Sequence, residues 1–233
     1  MTDDSRRLIA AYWDAAAPAF DEEPDHGLRS APVRRAWAAR LRDWLPDRPS
    51  AVLDVGCGTG SLALLAAYDG HRVAGCDLAP AMVERARAKF AAAGATGDFR
   101  VGDATAPPFE GRGFDAVLAR HLLWTLPDPR AALRTWAGLL RPGGRLVLIE
   151  GRWRQPSGRQ GPPYGTGAGT LPWHGGVGAA ELTAAVRPLA AAVRVVDLAR
   201  DPGLWGGEVD DERYALIADT ERNLVDTPQG AGA

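Results

Sequence analysis

The run LDVGCGTG (53–60) places Gly56, Gly58 and Gly60 at alternate positions, after a short apolar segment and before a helical one. Without Cβ atoms, such residues turn the chain sharply and let the backbone approach a ligand, while the helix that follows presents free N–H groups. The same run taken alone is also a tight structural turn. Its spacing is GxGxG, with Ser61 where the dinucleotide fingerprint GxGxxG puts its third glycine. Asp77 ends the next apolar run, 17 residues after Gly60 (77 − 60). A carboxylate there can accept from both hydroxyls of a ribose, and it can equally cap the helix that Pro80 opens. Asp103 and Ala104, after FRVG, are placed to meet the amine and edge of an adenine.

Groups able to move a proton are few. His121 follows an apolar run directly and either touches a substrate or serves as a hydrogen-bonding group at a strand end. His174 lies in a glycine-rich stretch beside Trp173, His26 lies in an acidic segment, and His71 reads as solvent-facing. Glu150 closes another apolar run and either borders the same pocket or anchors the stretch after it. Among the eight tryptophans, Trp37 and Trp136 fall on inward helical stripes, whereas Trp124, Trp153 and Trp173 fall in loops. An aromatic-lined pocket suits a flat acceptor.

The elements that must position these residues alternate in type. Helices are expected over 5–17 (Leu8, Ile9, Tyr12 and Trp13 on one stripe) and from a Ser30 cap through Val33, Trp37, Leu41 and Leu45. Strands follow at 51–55, 72–77, 99–103, 114–120 and 145–150, separated by helices at 61–68, after Pro80 and after Asp128-Pro129. That rhythm implies a parallel sheet with right-handed crossovers. Residues 151–178 break it with nine Gly and four Pro. A loop of that kind at the carboxyl end of a strand is usually functional or disordered. A helix then carries Leu182, Ala185, Val186 and Leu189, and the runs 193–199 and 213–218 have no helix between them, so they can pair antiparallel.

The chain has 233 residues, 46% of them hydrophobic, sufficient for one core. We expect one domain over 1–225, with a helical cap at 1–45, a ligand-binding core at 50–150, a substrate-side insert at 151–178 and a frayed tail at 226–233. A net charge of −2 argues against a partner gripped through phosphates, so no nucleic acid is expected. No signal-peptide pattern and no apolar run of spanning length appear, which points to the cytoplasm and away from membranes. Cys57 and Cys76 cannot build a disulfide framework, and no metal motif is present.

LDVGCGTG, the acid at the second strand end, GDA (102–104) and LLRPGGRLVLIE (139–150) together resemble the motif series of class I S-adenosylmethionine-dependent methyltransferases. YWD (12–14), RHLLWTLPDP (120–129) and LWGGEVDDERYALIA (204–218) are similar to the ubiquinone/menaquinone-biosynthesis-like branch of bacterial small-molecule enzymes. The resemblance implies a Rossmann-like α/β sandwich with a seven-stranded, mostly parallel sheet whose last strand is antiparallel. It implies S-adenosylmethionine as cofactor and S-adenosylhomocysteine as product. Gly56, Cys57, Gly58 and Gly60 would then pass the methionine and ribose, and Asp77 would hold the ribose. Leu78 and Met82 would line the adenine, with Asp103 and Ala104 at its edge and Arg120 also in the cofactor set. Tyr12 and Trp13 are similar to aromatics that cover the cofactor, and they also read as ordinary helix packing.

Methyl transfer needs chiefly a nucleophile held in line with the S–CH₃ bond and freed of water, with a base only where the acceptor must lose a proton. His121 and His174 are the expected catalytic residues, and Phe20, Trp124, Trp153, Tyr164 and Trp173 the expected substrate contacts. Phe20 replaces a tyrosine common in that group, so it is given no chemical role. The expected acceptor is an aromatic, indole-type natural product of bacterial secondary metabolism, and segments 1–28 and 151–178 could close over it. The alternatives are a nicotinamide-dependent oxidoreductase and a non-catalytic S-adenosylmethionine-binding protein. GxGxG spacing and the absence of a Tyr-xxx-Lys pair count against the first.

Overall fold

The structure is a computed structural model that describes residues 3–153, 164 and 171–221. Its centre is AVLDV, β1 (Ala51–Val55), buried along its whole length. Around it stand β2 (Arg72–Asp77), β3 (Gly97–Val101), β4 (Phe114–Arg120), β5 (Leu140–Arg152), β6 (Ala192–Asp197) and β7 (Glu212–Asp219) in the order β3-β2-β1-β4-β5-β7-β6. All pairings are parallel except those of β7 with β5 and β6. The expected seven-stranded sheet with an antiparallel last strand is therefore observed.

The helices are α1 (Asp3–Ala16), α2 (Pro24–Gly27), α3 (Ala31–Trp44), α4 (Ser61–Tyr68), α5 (Pro80–Ala92), α6 (Pro129–Leu139), α7 (Ala179–Val186) and α8 (Pro202–Trp205). Side chains alternate across the strands as the pleat requires. Val52, Leu118, Val147 and Ile217 meet Trp37, Leu41, Leu62, Val83 and Phe90 of α3, α4 and α5 on one face. Leu53, Val117, Leu148 and Leu216 meet Leu133, Trp136, Leu182 and Val186 of α6 and α7 on the other. The chain reverses its winding between β1 and β4, and open α/β sheets bind ligands at the carboxyl ends of strands at such a point.

Several boundaries differ from the sequence reading. β3 starts at Gly97, two residues early, because Val73 near the start of β2 pairs with it. A Cβ at Gly97 would lie 2.7 Å from the Phe99 ring and 3.0 Å from that of Phe90, so glycine there makes room for packing rather than for a turn. β5 starts at Leu140, and its register with β4 jumps from Phe114↔Leu140 to Ala116↔Arg145 around the expected Pro-Gly-Gly turn. A one-turn helix, α8, does separate β6 from β7, docked on α3 by Trp37 Nε1 donating to the Leu204 carbonyl at 2.8 Å. Asp128 caps α6 as expected, accepting from Ala131 N, but the Ser30 hydroxyl makes no cap bond. His71 is buried rather than solvent-facing, its Nδ1 accepting from Ser50 N at 3.2 Å. On α1 Ile9 is buried, while Leu8 and Tyr12 of the expected stripe are exposed.

Candidate functional site

A cavity of about 460 Å³ opens at the carboxyl ends of β1, β2 and β4, within the size range of small-molecule and cofactor sites. Its floor is the glycine loop. Gly56, Gly58 and Gly60 have φ of 67°, 52° and 76°, a left-handed path that L side chains adopt only at a cost. The loop folds back on β2 because Gly56 N and Cys57 N both donate to the Cys76 carbonyl. Asp77 ties the two strand ends together: Oδ2 accepts from Gly58 N and Oδ1 from Ala79 N, each at 2.9 Å. Each oxygen keeps a further lone pair, and the residue lines the cavity, so the helix-capping and ribose-holding readings are compatible. Burial pushes the Asp77 carboxyl up, and the N–H groups of Ala79 and Gly58 pull against it.

Leu78, Met82, Asp103 and Ala104 line the cavity beside Asp77. Asp103 is already engaged: Oδ2 accepts from Arg6 Nε of α1 at 2.7 Å, and Oδ1 from the N–H and hydroxyl of Thr105. Burial raises its carboxyl, but these bonds outweigh it and hold the group below the usual range. Trp136, on α6, fixes this turn by donating to the Ala104 carbonyl at 2.7 Å. Arg120 lines the cavity, donates to the Asp25 carbonyl and lies 5.2 Å over the Trp37 ring.

Asp54 escaped the sequence reading although it stands inside LDVGCGTG. It lines the cavity, 3% exposed, and burial pushes its carboxyl to about 7 against the pull of Arg120. The signal was legible, since an acid within an otherwise apolar, fully buried strand is costly without a task. Both cysteine thiols are pushed up by burial, Cys76 to about 12, which removes them as nucleophiles.

The other end of the cavity carries His121, with φ 53° and its N–H on the Ile149 carbonyl. Its ring lies 4.5 Å from Trp153 and 6.0 Å from Trp205. Burial, then the charge of Arg120, holds the imidazole well below its ordinary value and so neutral. His121 Nε2 and His26 Nδ1 are buried with no hydrogen-bond partner among the described residues. His26 stacks on Phe20 at 4.4 Å and is likewise lowered by burial and Arg120. Phe20, Trp124, Trp153, Glu23, Asp25 and Arg213 complete this end. Segment 20–28 is latched to the glycine loop by Lys89, whose Nζ lies 2.9 Å from Asp21 and donates to Thr59 Oγ1 and Ser61 Oγ.

The structure separates the expected residues into two groups. Trp13, Phe20, Gly56, Cys57, Gly58, Asp77, Leu78, Met82, Asp103, Ala104, Arg120, His121, Trp124 and Trp153 line one cavity. Gly60, Tyr12, Tyr164, Trp173 and His174 are not in that lining. Tyr164 stands behind it, accepting from Trp13 Nε1 and stacked on Trp124. Tyr12 packs edge-on against Trp13 and Tyr164. Trp173 points into the core and donates to Glu181 at 2.7 Å. His174 is exposed, its ring 6.4 Å from Trp124. Glu150 is not in the cavity lining and holds no arginine among the described residues: Oε1 accepts from Leu122 N and Leu123 N. Most of the insert, 154–163 and 165–170, and the tail at 226–233 lie outside the described residues.

Residues 53–148 match the methyltransferase-domain family. That segment is similar to S-adenosylmethionine-dependent methyltransferase domains. Their cofactor class fits the site, where an unspent Asp77 lone-pair set, a glycine floor and a buried acid line one cavity. The chain is 40% identical over 143 residues to a ubiquinone biosynthesis O-methyltransferase of Xanthomonas axonopodis pv. citri, a match covering 60% of this chain and 56% of that one. It thus spans little more than half of that relative's length. Among solved structures, a chain from the Haloferax volcanii complex of the Trm112 methyltransferase activator and a putative methyltransferase aligns with TM-score 0.65 and 21% identity, over 90% of this chain and 98% of that one. The 4+2 cyclase SpnF aligns with TM-score 0.64 and 22% identity, over 82% and 81%. At these identities the likeness concerns the fold. No helix among the described residues is long and apolar enough to cross a membrane.

Proposed function

We propose that this chain moves a methyl group from S-adenosylmethionine to a small aromatic acceptor, an indole-type or phenolic natural product of bacterial secondary metabolism, in the cytoplasm and without a nucleic-acid partner. The observation that carries this reading is one cavity running from Asp77 and the glycine loop to His121, Trp124 and Trp153. When bound, S-adenosylmethionine supplies an activated methyl group on a sulfonium with a neutral leaving group. Asp77 holds the ribose hydroxyls, and Leu78, Met82 and Ala104 enclose the adenine. Asp54 offers a carboxylate to the cationic end of the cofactor. Trp124, Trp153 and Phe20 present flat apolar walls to the acceptor and keep water from it. His121, neutral and with a free lone pair, is the catalytic residue that meets an acceptor O–H or N–H. His174 has no place in this reading, being outside the cavity lining.

The test is incubation of the full chain with methyl-labelled S-adenosylmethionine and a panel of phenols, indoles and aliphatic amines. Labelled product from aromatic acceptors is expected, reduced by roughly 10²–10⁴-fold in His121→Asn, the range for a lost proton acceptor. Binding of S-adenosylhomocysteine with no labelled product from any acceptor would favour the non-catalytic alternative. Product from aliphatic amines alone would overturn the aromatic assignment.

A further inference from the structure

Two buried imidazole nitrogens at the acceptor end have no hydrogen-bond partner among the described residues, and a carboxylate belongs to the same cluster. One donor atom each from Asp25, His26 and His121 lies within 4.8 Å of the other two. His121 Nε2 and His26 Nδ1 are the orphaned atoms among the described residues, and the other His26 nitrogen, Nε2, lies 4.0 Å from Asp25 Oδ1. A buried polar atom left unpaired is costly, and the orphaned His121 nitrogen, beside a second imidazole and a carboxylate, implies a group that satisfies it. Three converging lone-pair donors are satisfied together by a cation.

We infer that Asp25, His26 and His121 form a divalent metal site at the acceptor end of the cavity. Two imidazoles and a carboxylate suit zinc, iron(II) or cobalt(II) over magnesium, and three protein ligands leave positions open for a small molecule. The donors stand wider than a bound ion needs, at ligand distances of about 2.0–2.2 Å. His26 can close the gap because α2 is only four residues long and ends at Leu28 in the left-handed region. Nearby positive charge is compensated: Arg213 is paired with Asp211 at 2.6 Å, and Arg120 faces Asp54 and donates to the Asp25 carbonyl.

The site deepens the proposed function and rests on it in one respect, that the acceptor enters here. An acceptor hydroxyl would take an open coordination position and release its proton to solvent, leaving its oxygen lone pair for the methyl. With the ion in place, His121 would act on the acceptor hydroxyl through the ion that it holds, and without it directly.

The test is titration of the chelator-stripped full chain with zinc(II), and with cobalt(II) followed by its visible absorption. One equivalent is expected to bind. His26→Gln and His121→Asn should each weaken it by at least the roughly 10–100-fold that losing a mere supporting residue costs. Both variants should still bind S-adenosylhomocysteine, which shows that they fold. No stoichiometric binding by the parent chain, or equal binding by the double variant, would overturn the site. Metal binding without S-adenosylhomocysteine binding would instead leave the site standing and remove the methyltransferase reading.

Discussion

Asp54 shows at the scale of one residue how the site is tuned. Its carboxyl is pushed to about 7 by burial in β1, so in the ligand-free chain it is partly protonated near neutrality. A cofactor carrying an ammonium and a sulfonium favours the ionised form. Affinity for S-adenosylmethionine should therefore fall as pH drops below about 7, approaching tenfold per unit at the limit of one linked proton. Calorimetric titration between acid and mildly alkaline pH checks this. Asp54→Asn should bind more weakly with a flatter profile, and a flat profile in the parent chain would contradict the assignment. The glycines and Asp77 were legible because their spacing is local. Asp25 and Arg213 were not, and His26 was read only as one of several imidazoles, because only the fold brings residues 25–26 and 213 to one cavity.

At the scale of elements, the turn after β4 is held by β5. Glu150 Oε1 takes the N–H groups of Leu122 and Leu123 and so fixes the turn that follows His121. Burial pushes its carboxyl to about 7 from an ordinary 4.5. Below pH 4.5 the group is neutral folded or unfolded, and its contribution is fully present. Between 4.5 and about 7 the unfolded chain ionises first, so stability is lost, by up to roughly 3 kcal/mol, and above 7 the loss is complete. Glu150→Gln resembles the neutral acid. Its melting temperature relative to the parent should be higher at alkaline than at acid pH, and an equal difference at both would contradict the account.

The latch between α5 and segment 20–28 gives a second prediction at this scale. Asp21 is raised by burial but held low by hydrogen bonds from Thr59 and Lys89. Lys89→Met leaves that carboxylate without its cation and should cost roughly 1.5–3 kcal/mol in urea denaturation. Adding Asp21→Asn should recover part of the loss. Equal stability of the single and double variants would show that the two side chains do not act together. Periodicity could not show this contact, since Lys89 reads as one more charge on a solvated helix.

For the molecule as a whole, the strand–helix alternation was enough to read a parallel sheet with right-handed crossovers, whereas the seven strands and the antiparallel β7 followed from the family resemblance. Strand interiors buried on both faces leave a continuous apolar signature that few other arrangements give. The cover over the cavity was readable only in outline. Trp173 illustrates why: a tryptophan in a glycine-rich loop is equally suited to a pocket wall or a core plug, and here it packs into the core while Trp153 lines the cavity. Everything functional in this account hangs on the carboxyl ends of β1 and β2 being the cofactor site. The measurement that tests this most directly is calorimetric titration of the full chain with S-adenosylhomocysteine and with NADH, repeated on Asp77→Asn. The account predicts micromolar or tighter binding of the adenosyl ligand, at least tenfold weaker in the variant as expected from losing about 1.4 kcal/mol or more at a charged hydrogen-bond pair, and no binding of NADH. Binding of NADH alone, or an adenosyl affinity indifferent to Asp77, would contradict it.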